Sequence, residues 1–219
     1  MKHKGFLITF EGGEGSGKTI QKSLLINRME ADGHKVIGTR EPGGTLTSDA
    51  IREILLDNRF NEKILPKTEV FLFLASRAQN TGEIIIPALI RGEIVLCDRY
   101  RDSMLAYQAY GQKFLTPRQA DYLNDYATDE LKPDLAFLLD VEPRIGLERR
   151  RQQGGVNRLD ILGLPTHKRI RASYLKMVKE EPERFFVVDT NILDLDEVHQ
   201  VVYTEVIRRL KERGIKPQG

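Results

Sequence analysis

Apolar residues gather in five short runs, at positions 6–10, 35–39, 94–97, 135–139 and 185–188. Branched and aromatic side chains dominate these runs and polar residues interrupt them little. The pattern therefore predicts strands buried on both faces, as in a parallel sheet. Between the runs, apolar positions recur at helical spacing. The stretch 23–31 carries Leu24, Leu25, Ile26 and Met29 and stops near Gly33, while 49–57 carries Ile51, Ile54, Leu55 and Leu56. A long helix is predicted over 68–91, with Gly82 and Pro87 calling for a break or kink inside it. Further helices are expected over 143–151, 167–179 and 195–213. Strand alternating with helix reads as α/β: a doubly wound, five-stranded parallel sheet flanked by helices, in one domain spanning 1–219. The glycine-containing stretch 152–164 reads as loose.

Composition narrows the partners. The 34 basic and 32 acidic side chains nearly cancel, leaving a net charge of +2 and no electrostatic ground for a nucleic acid or an anionic membrane. Any affinity for phosphate has to be local. The single cysteine, Cys97, excludes an intrachain disulfide framework and, inside an apolar run, reads as a small core residue. The apolar run near the N-terminus is too short to span a bilayer and has no signal-type cleavage pattern, so a reducing cytoplasmic setting is expected.

That local affinity has an obvious seat. Gly12-Gly13-Glu14-Gly15-Ser16-Gly17-Lys18-Thr19 fits G-x-x-x-x-G-K-[ST], after a predicted strand and before a predicted helix. Glycines let successive N–H groups turn inward, and the helix N-terminus adds partial positive charge, so the loop is suited to hold a polyphosphate. Lys18 is expected to reach the β and γ phosphates and Thr19 to offer its hydroxyl to Mg²⁺. A GTPase would need a guanine-reading Asn-Lys-x-Asp and an Asp-x-x-Gly directly after a strand; Asn61-Glu62-Lys63 is not the former, and Asp98-Arg99-Tyr100-Arg101 is not the latter. After the third strand come Asp98, placed for a Mg²⁺-bound water, and Arg99, whose planar fork can clamp a phosphoryl group. After the second, Arg40-Glu41-Pro42-Gly43-Gly44 makes a rigid turn that is either a connector or one wall of an acceptor pocket. Read from the residues alone, Phe71 and Phe73 are core, whereas Arg77 needs a partner if it is buried.

Taken in order, "FEGGEGSGKT", "TREPGGT", "FLFLASRAQ", "DRYRDSMLAYQ" and "LLDVEPRIGLERRR" give the chain, over nearly its whole length, a pattern that resembles the bacterial thymidylate kinases. The resemblance implies transfer of the ATP γ-phosphoryl group to dTMP, giving dTDP and ADP, with Mg²⁺ and in a homodimer. It implies that Phe73 stacks on thymine, that Arg77 bonds the carbonyl edge of the base, and that Tyr107 and Gln108 line base and deoxyribose. Glu14 would approach the acceptor's 3′-hydroxyl, and Arg40 and Arg99 its phosphate, beside Glu41 and Pro42. It makes 149–164 a lid whose cations Arg149, Arg151 and Arg158 join Lys18 and Arg99 in stabilising the transferred charge. The chain departs from the family in three places. Met104 stands where serine or threonine is usual, which opens base selectivity toward dUMP or a 5-modified pyrimidine. Ile20 replaces a common threonine, and Gln153 a common lid arginine. The altered lid also admits a nucleotide-binding protein with impaired transfer.

Overall fold

A computed structural model describes residues 3–61, 63–154 and 156–217. The first apolar run forms β1 (Phe6–Glu11), with every residue buried. It lies between two parallel neighbours, β3 (Ile94–Asp98) and β4 (Leu135–Asp140). Beyond these lie β2 (Val36–Arg40), paired with β3, and β5 (Phe185–Asp189), paired with β4, for an order β2-β3-β1-β4-β5. The chain winds from β1 out to β2, returns to β3, then crosses to β4 on the far side of β1. That reversal opens a crevice at the carboxyl ends of the central strands.

Successive side chains of a strand point to opposite faces, so burying both requires a nearly unbroken apolar run. Phe6, Ile8 and Phe10 meet Leu25 and Met29 of α1 (Lys18–Ala31) and Val198, Val202 and Val206 of α9 (Leu195–Glu212). On the other face Leu7 meets Ile85, Leu89, Val95 and Cys97. There Ala136 and Leu138 also pack against Ile170 and Tyr174 of α8 (Leu164–Glu180). Cys97 is fully buried, and burial pushes its thiol pKa up, in keeping with a core residue.

The helix expected over 68–91 is in fact three pieces. α3 (Pro66–Asn80) opens into a wide π-helical turn (Thr81–Ile85) and continues as α4 (Ile86–Ile90). Gly82 lies in the wide turn, and Pro87, which has no N–H to donate, sits in the first turn of α4 directly after it. α2 (Leu46–Leu56) begins before the expected residue 49 because the Thr45 hydroxyl accepts from the Ser48 amide and caps it. α1 likewise starts at Lys18, five residues before its apolar periodicity becomes visible.

Between β3 and β4 the sequence pattern predicted nothing. The chain there forms α5 (Arg101–Met104), a second π-helical turn (Leu105–Gly111) and α6 (Pro117–Thr128). Thr116-Pro117-Arg118-Gln119 is a capping box that was present in the sequence: the Thr116 hydroxyl accepts from the Gln119 amide, and the Gln119 side chain accepts from the Thr116 amide. α7 (Pro143–Gln152) leads into the loose stretch, whose described residues hold no strand or α-helix before α8 begins at Leu164.

Phe137 of β4 stacks on Phe10 at 5.5 Å and meets Phe186 edge-on at 5.8 Å, with no exposed surface. Truncating it removes contacts on both sides of the ring, so Phe137→Ala is expected to cost about 3–5 kcal/mol. Denaturant unfolding measures this, and a loss under about 1 kcal/mol would show that this cluster does not carry the sheet.

Candidate active site

The phosphate loop leaves β1 at Gly12 and enters α1 at Lys18. Gly12, Gly15 and Gly17 have φ of 139°, 65° and 92°, a region that favours glycine. Space is equally restrictive. A Cβ on Gly15 would lie 2.0 Å from the Gly146 carbonyl oxygen, and one on Gly146 would lie 2.2 Å from that of Glu14. Two bare backbones therefore touch where the loop crosses α7.

Lys18 turns back over the loop. Its Nζ donates to the carbonyls of Gly13 (2.6 Å) and Gly12 (3.2 Å) and to Ser16 Oγ (3.1 Å). Burial, with Arg99 close by, lowers the ammonium pKa to about 8, against the pull of Glu14 and Asp98. One residue on, Thr19 Oγ1 donates to Asp98 Oδ2 at 2.6 Å, so the helix hydroxyl and the β3 carboxylate expected at a metal are adjacent. Both are hard oxygen donors of the kind Mg²⁺ accepts. Among the described residues no group of three or more acidic, histidine or cysteine side chains could cage a metal alone.

Arg99 follows β3 with φ of 66°. Its guanidinium donates to the Gly12 carbonyl at 3.0 Å and to Glu14 Oε1 at 2.9 Å, and lies 4.8 Å from the centre of the Tyr107 ring. Tyr107 Oη donates to the same Glu14 oxygen at 2.6 Å. Burial pushes the Glu14 carboxyl up, but Arg99, Lys18 and Tyr107 outweigh it and hold the pKa down to about 2. Behind this cluster Glu11, fully buried at the end of β1, accepts from the Tyr100 amide (2.8 Å), Ser103 Oγ (2.6 Å) and Tyr174 Oη (3.0 Å). Burial and Asp102 raise its pKa to about 7. Glu11 thus ties the start of the phosphate loop to the turn that aims Arg99. Its one trace in the sequence is a charge closing an apolar strand.

The cleft, about 390 Å³, runs from this loop to Phe73 and Arg77 on α3. Phe73 is 9% exposed and belongs to both settings: it packs with Leu55, Val70 and Met104 and also lines the cleft. Phe71, by contrast, is 61% exposed and not core. Arg77 is buried, and its partners explain how it can be. Nε donates to Glu41 Oε2 (2.7 Å), Nη1 to Asn124 Oδ1 (2.7 Å) and Nη2 to the Tyr100 carbonyl (3.0 Å). Met104 Sδ lies 3.8 Å from Nη1. Tyr107, Gln108, Glu41 and Pro42 also line the cleft, so the rigid turn after β2 is a wall and not only a connector. Arg40 reaches the rim, where it pairs with Asp49 at 3.1 Å. Arg52 of α2 lines the same wall, donating to the Pro42 carbonyl at 2.7 Å. Sequence reasoning missed it because the stretch was read for its apolar face.

The expected lid cations are not where the pattern put them. Arg149 donates to the Thr190 carbonyl at 2.9 Å, the exposed Arg151 lies 3.5 Å from Glu148, and Arg158 is buried against Glu69 at 2.6 Å. None of the three lines the cleft; Arg150, Gln153, Asn157 and Leu159 do. Consecutive helical residues project about 100° apart, so one arginine of three faces a given side. Here it is the middle one, whose Nε donates to Asp160 at 3.1 Å.

A glycine loop wrapped on a helix N-terminus, a hydroxyl hydrogen-bonded to a carboxylate beside it, and a cleft that runs on from them to an aromatic ring and a buried arginine define a P-loop phosphotransferase. A sequence model described as thymidylate kinase matches residues 10–202. Thymidylate kinase of Geotalea uraniireducens is 44% identical over 214 residues, covering 95% of this chain and 99% of that one. That of Pelobacter propionicus is 43% identical over 210 residues, covering 93% and 94%. The crystal structure of thymidylate kinase from Ehrlichia chaffeensis matches with a TM-score of 0.73 and 32% identity, covering 93% of this chain and 98% of that one. The chain belongs to the thymidylate kinase family.

The contact between loop and α7 is testable. Gly146 sits within a helix, so Gly146→Ala adds no backbone strain but drives a methyl into the Glu14 carbonyl. Displacing a phosphate-positioning loop by about 1 Å is expected to lower kcat/KM for ATP by up to ~10²-fold. Steady-state kinetics with varied ATP decide it; an unchanged value would show that the helix does not seat the loop.

Proposed function

We propose that this protein transfers the γ-phosphoryl group of ATP to dTMP, yielding dTDP and ADP. The observation that supports the reading is the continuous cleft from Lys18 and Thr19 to Phe73 and Arg77; two nucleotides bound end to end along it would bring their phosphates together near Arg99. The loop amides and Lys18 hold the donor phosphates; Phe73, Arg77, Met104, Tyr107 and Gln108 receive the pyrimidine and its sugar. Arg99, with Arg40 and Arg52 on the far wall, holds the acceptor phosphate, and Glu14 faces the sugar hydroxyl. The acceptor phosphate is already a nucleophile, so the protein supplies position and charge without a covalent intermediate.

Thr19 and Asp98 would hold Mg²⁺ at the phosphates, where it would supply positive charge against the transferred group. Lys18, Arg99 and the lid's Arg150 stabilise the transferred group. Arg149, Arg151 and Arg158 would have to leave their present partners to join them. Closing 149–164 over the cleft would exclude water and favour dTMP over hydrolysis. We place the reaction in the cytoplasm, in keeping with the lone buried Cys97; among the described residues no helix is long and apolar enough to cross a membrane.

An ADP-release assay across dTMP, dUMP, dCMP and dGMP is expected to give the highest kcat/KM with dTMP, and to lose turnover when EDTA removes the divalent cation. Lys18→Ala is expected to lose about 10²–10³-fold in kcat. Preference for another nucleotide would overturn the assignment, as would nucleotide binding without transfer.

We also infer a homodimer. The neighbouring helices α2, α3 and α6 expose Ile54, Phe71, Tyr122 and Tyr126, apolar surface that a second copy would cover. Light scattering is expected to give twice the 25.1 kDa chain mass, and Phe71→Glu to return it to the monomer. A monomeric wild type would refute the inference.

A further inference from the structure

Beside Gln108 lies a buried carboxylate, Glu69, to which the proposed mechanism gives no role. Glu69 of α3 is 1% exposed and accepts from three side chains. Gln108 Nε2 (3.0 Å) and Gln112 Nε2 (2.8 Å) both donate to its Oε1, and Arg158 Nη1, from the lid segment, reaches its Oε2 at 2.6 Å. Arg158 is itself anchored by a bond from Nε to the Leu55 carbonyl, and the next residue, Leu159, packs into the cluster that holds Phe73 and Met104.

A carboxylate only accepts hydrogen bonds, whereas a glutamine amide has an accepting end and a donating end. Gln108 spends its NH₂ on Glu69, so its other end, Oε1, is left without a protein donor among the described residues, on a side chain that lines the cleft. We propose that Glu69 is a positioning residue for base selection: it fixes the sense of the Gln108 amide so that the pocket presents a carbonyl oxygen. Thymine carries an N3–H that can donate to such an oxygen. Cytosine offers a bare N3 lone pair, and two acceptors face to face are repelled. In this structure Arg158 balances the charge of Glu69, and Gln112 also donates to it, so the carboxylate keeps a second donor if Arg158 moves with the lid. The inference rests on the reading that Gln108 meets the base.

Glu69→Gln has the same shape but offers an acceptor and a donor, which lets the Gln108 amide turn either way. The kcat/KM ratio of dTMP to dCMP is expected to fall by about tenfold or more, chiefly through a higher KM for dTMP, with the KM for ATP unchanged. Glu69→Asp keeps an acceptor-only group and is expected to retain most of the ratio even where it lowers the melting temperature. A proportional loss with both nucleotides, or an equal loss of selectivity in Glu69→Asp, would mean that Glu69 merely holds the structure and would overturn the proposal. Gln108→Met separates the two failures. If it leaves the ratio intact, Gln108 does not read the base. If it lowers the ratio, Glu69→Gln added to it is expected to change the ratio no further, and an additional loss would show that Glu69 does not act through Gln108.

Discussion

The pairing of Arg99 with Glu14 is the interaction on which the site depends. A cleft built to bind phosphates concentrates cations, and without phosphates those cations repel one another and stand poorly solvated. Glu14, inside the phosphate loop, supplies the missing negative charge, and Lys18 meanwhile leans on the loop's own carbonyls. Arg99 and Lys18 are thus each held by fixed partners in the loop, and charge fixed in advance is the kind that can act with little reorganisation. Glu11 serves the same end from behind, because the turn that presents Arg99 in a left-handed conformation is pinned through the Tyr100 amide.

What could be read in the chain beforehand divides along physical lines. All five strands were legible as apolar runs, and their number and parallel winding followed; β1, β3 and β4 are buried nearly throughout, which demands continuous apolar residues, whereas the edge strands β2 and β5 are only partly buried. The phosphate loop was legible because its requirements are local backbone geometry. The acceptor pocket's supports were not. Arg77 draws its partners Glu41 and Asn124 from 36 and 47 residues away, separations that no periodicity records. Naming the residues of that pocket depended on a family pattern, whereas naming what holds them needed the coordinates.

The misses are equally instructive. α5 was invisible because its residues are polar and yet buried, with Arg101 paired to Asp125 and Asp102 to Arg184, so apolar spacing had nothing to register. The arginines at 149–151 were identifiable as a cationic run, but which one faces the cleft is set by the phase of α7, a quantity that a shift of one residue changes completely. Phe73 escaped a clean assignment because the two readings were never exclusive: a ring at the boundary between core and crevice satisfies both.

The bare crossing of Gly15 and Gly146 couples the two ends of the catalytic apparatus mechanically. The helix resting on the nucleotide loop is the same rod that runs on into the covering segment, with no side chain between them to act as a cushion. Any tilt of that rod would meet the peptide planes of the loop directly, because neither side has a side chain to yield.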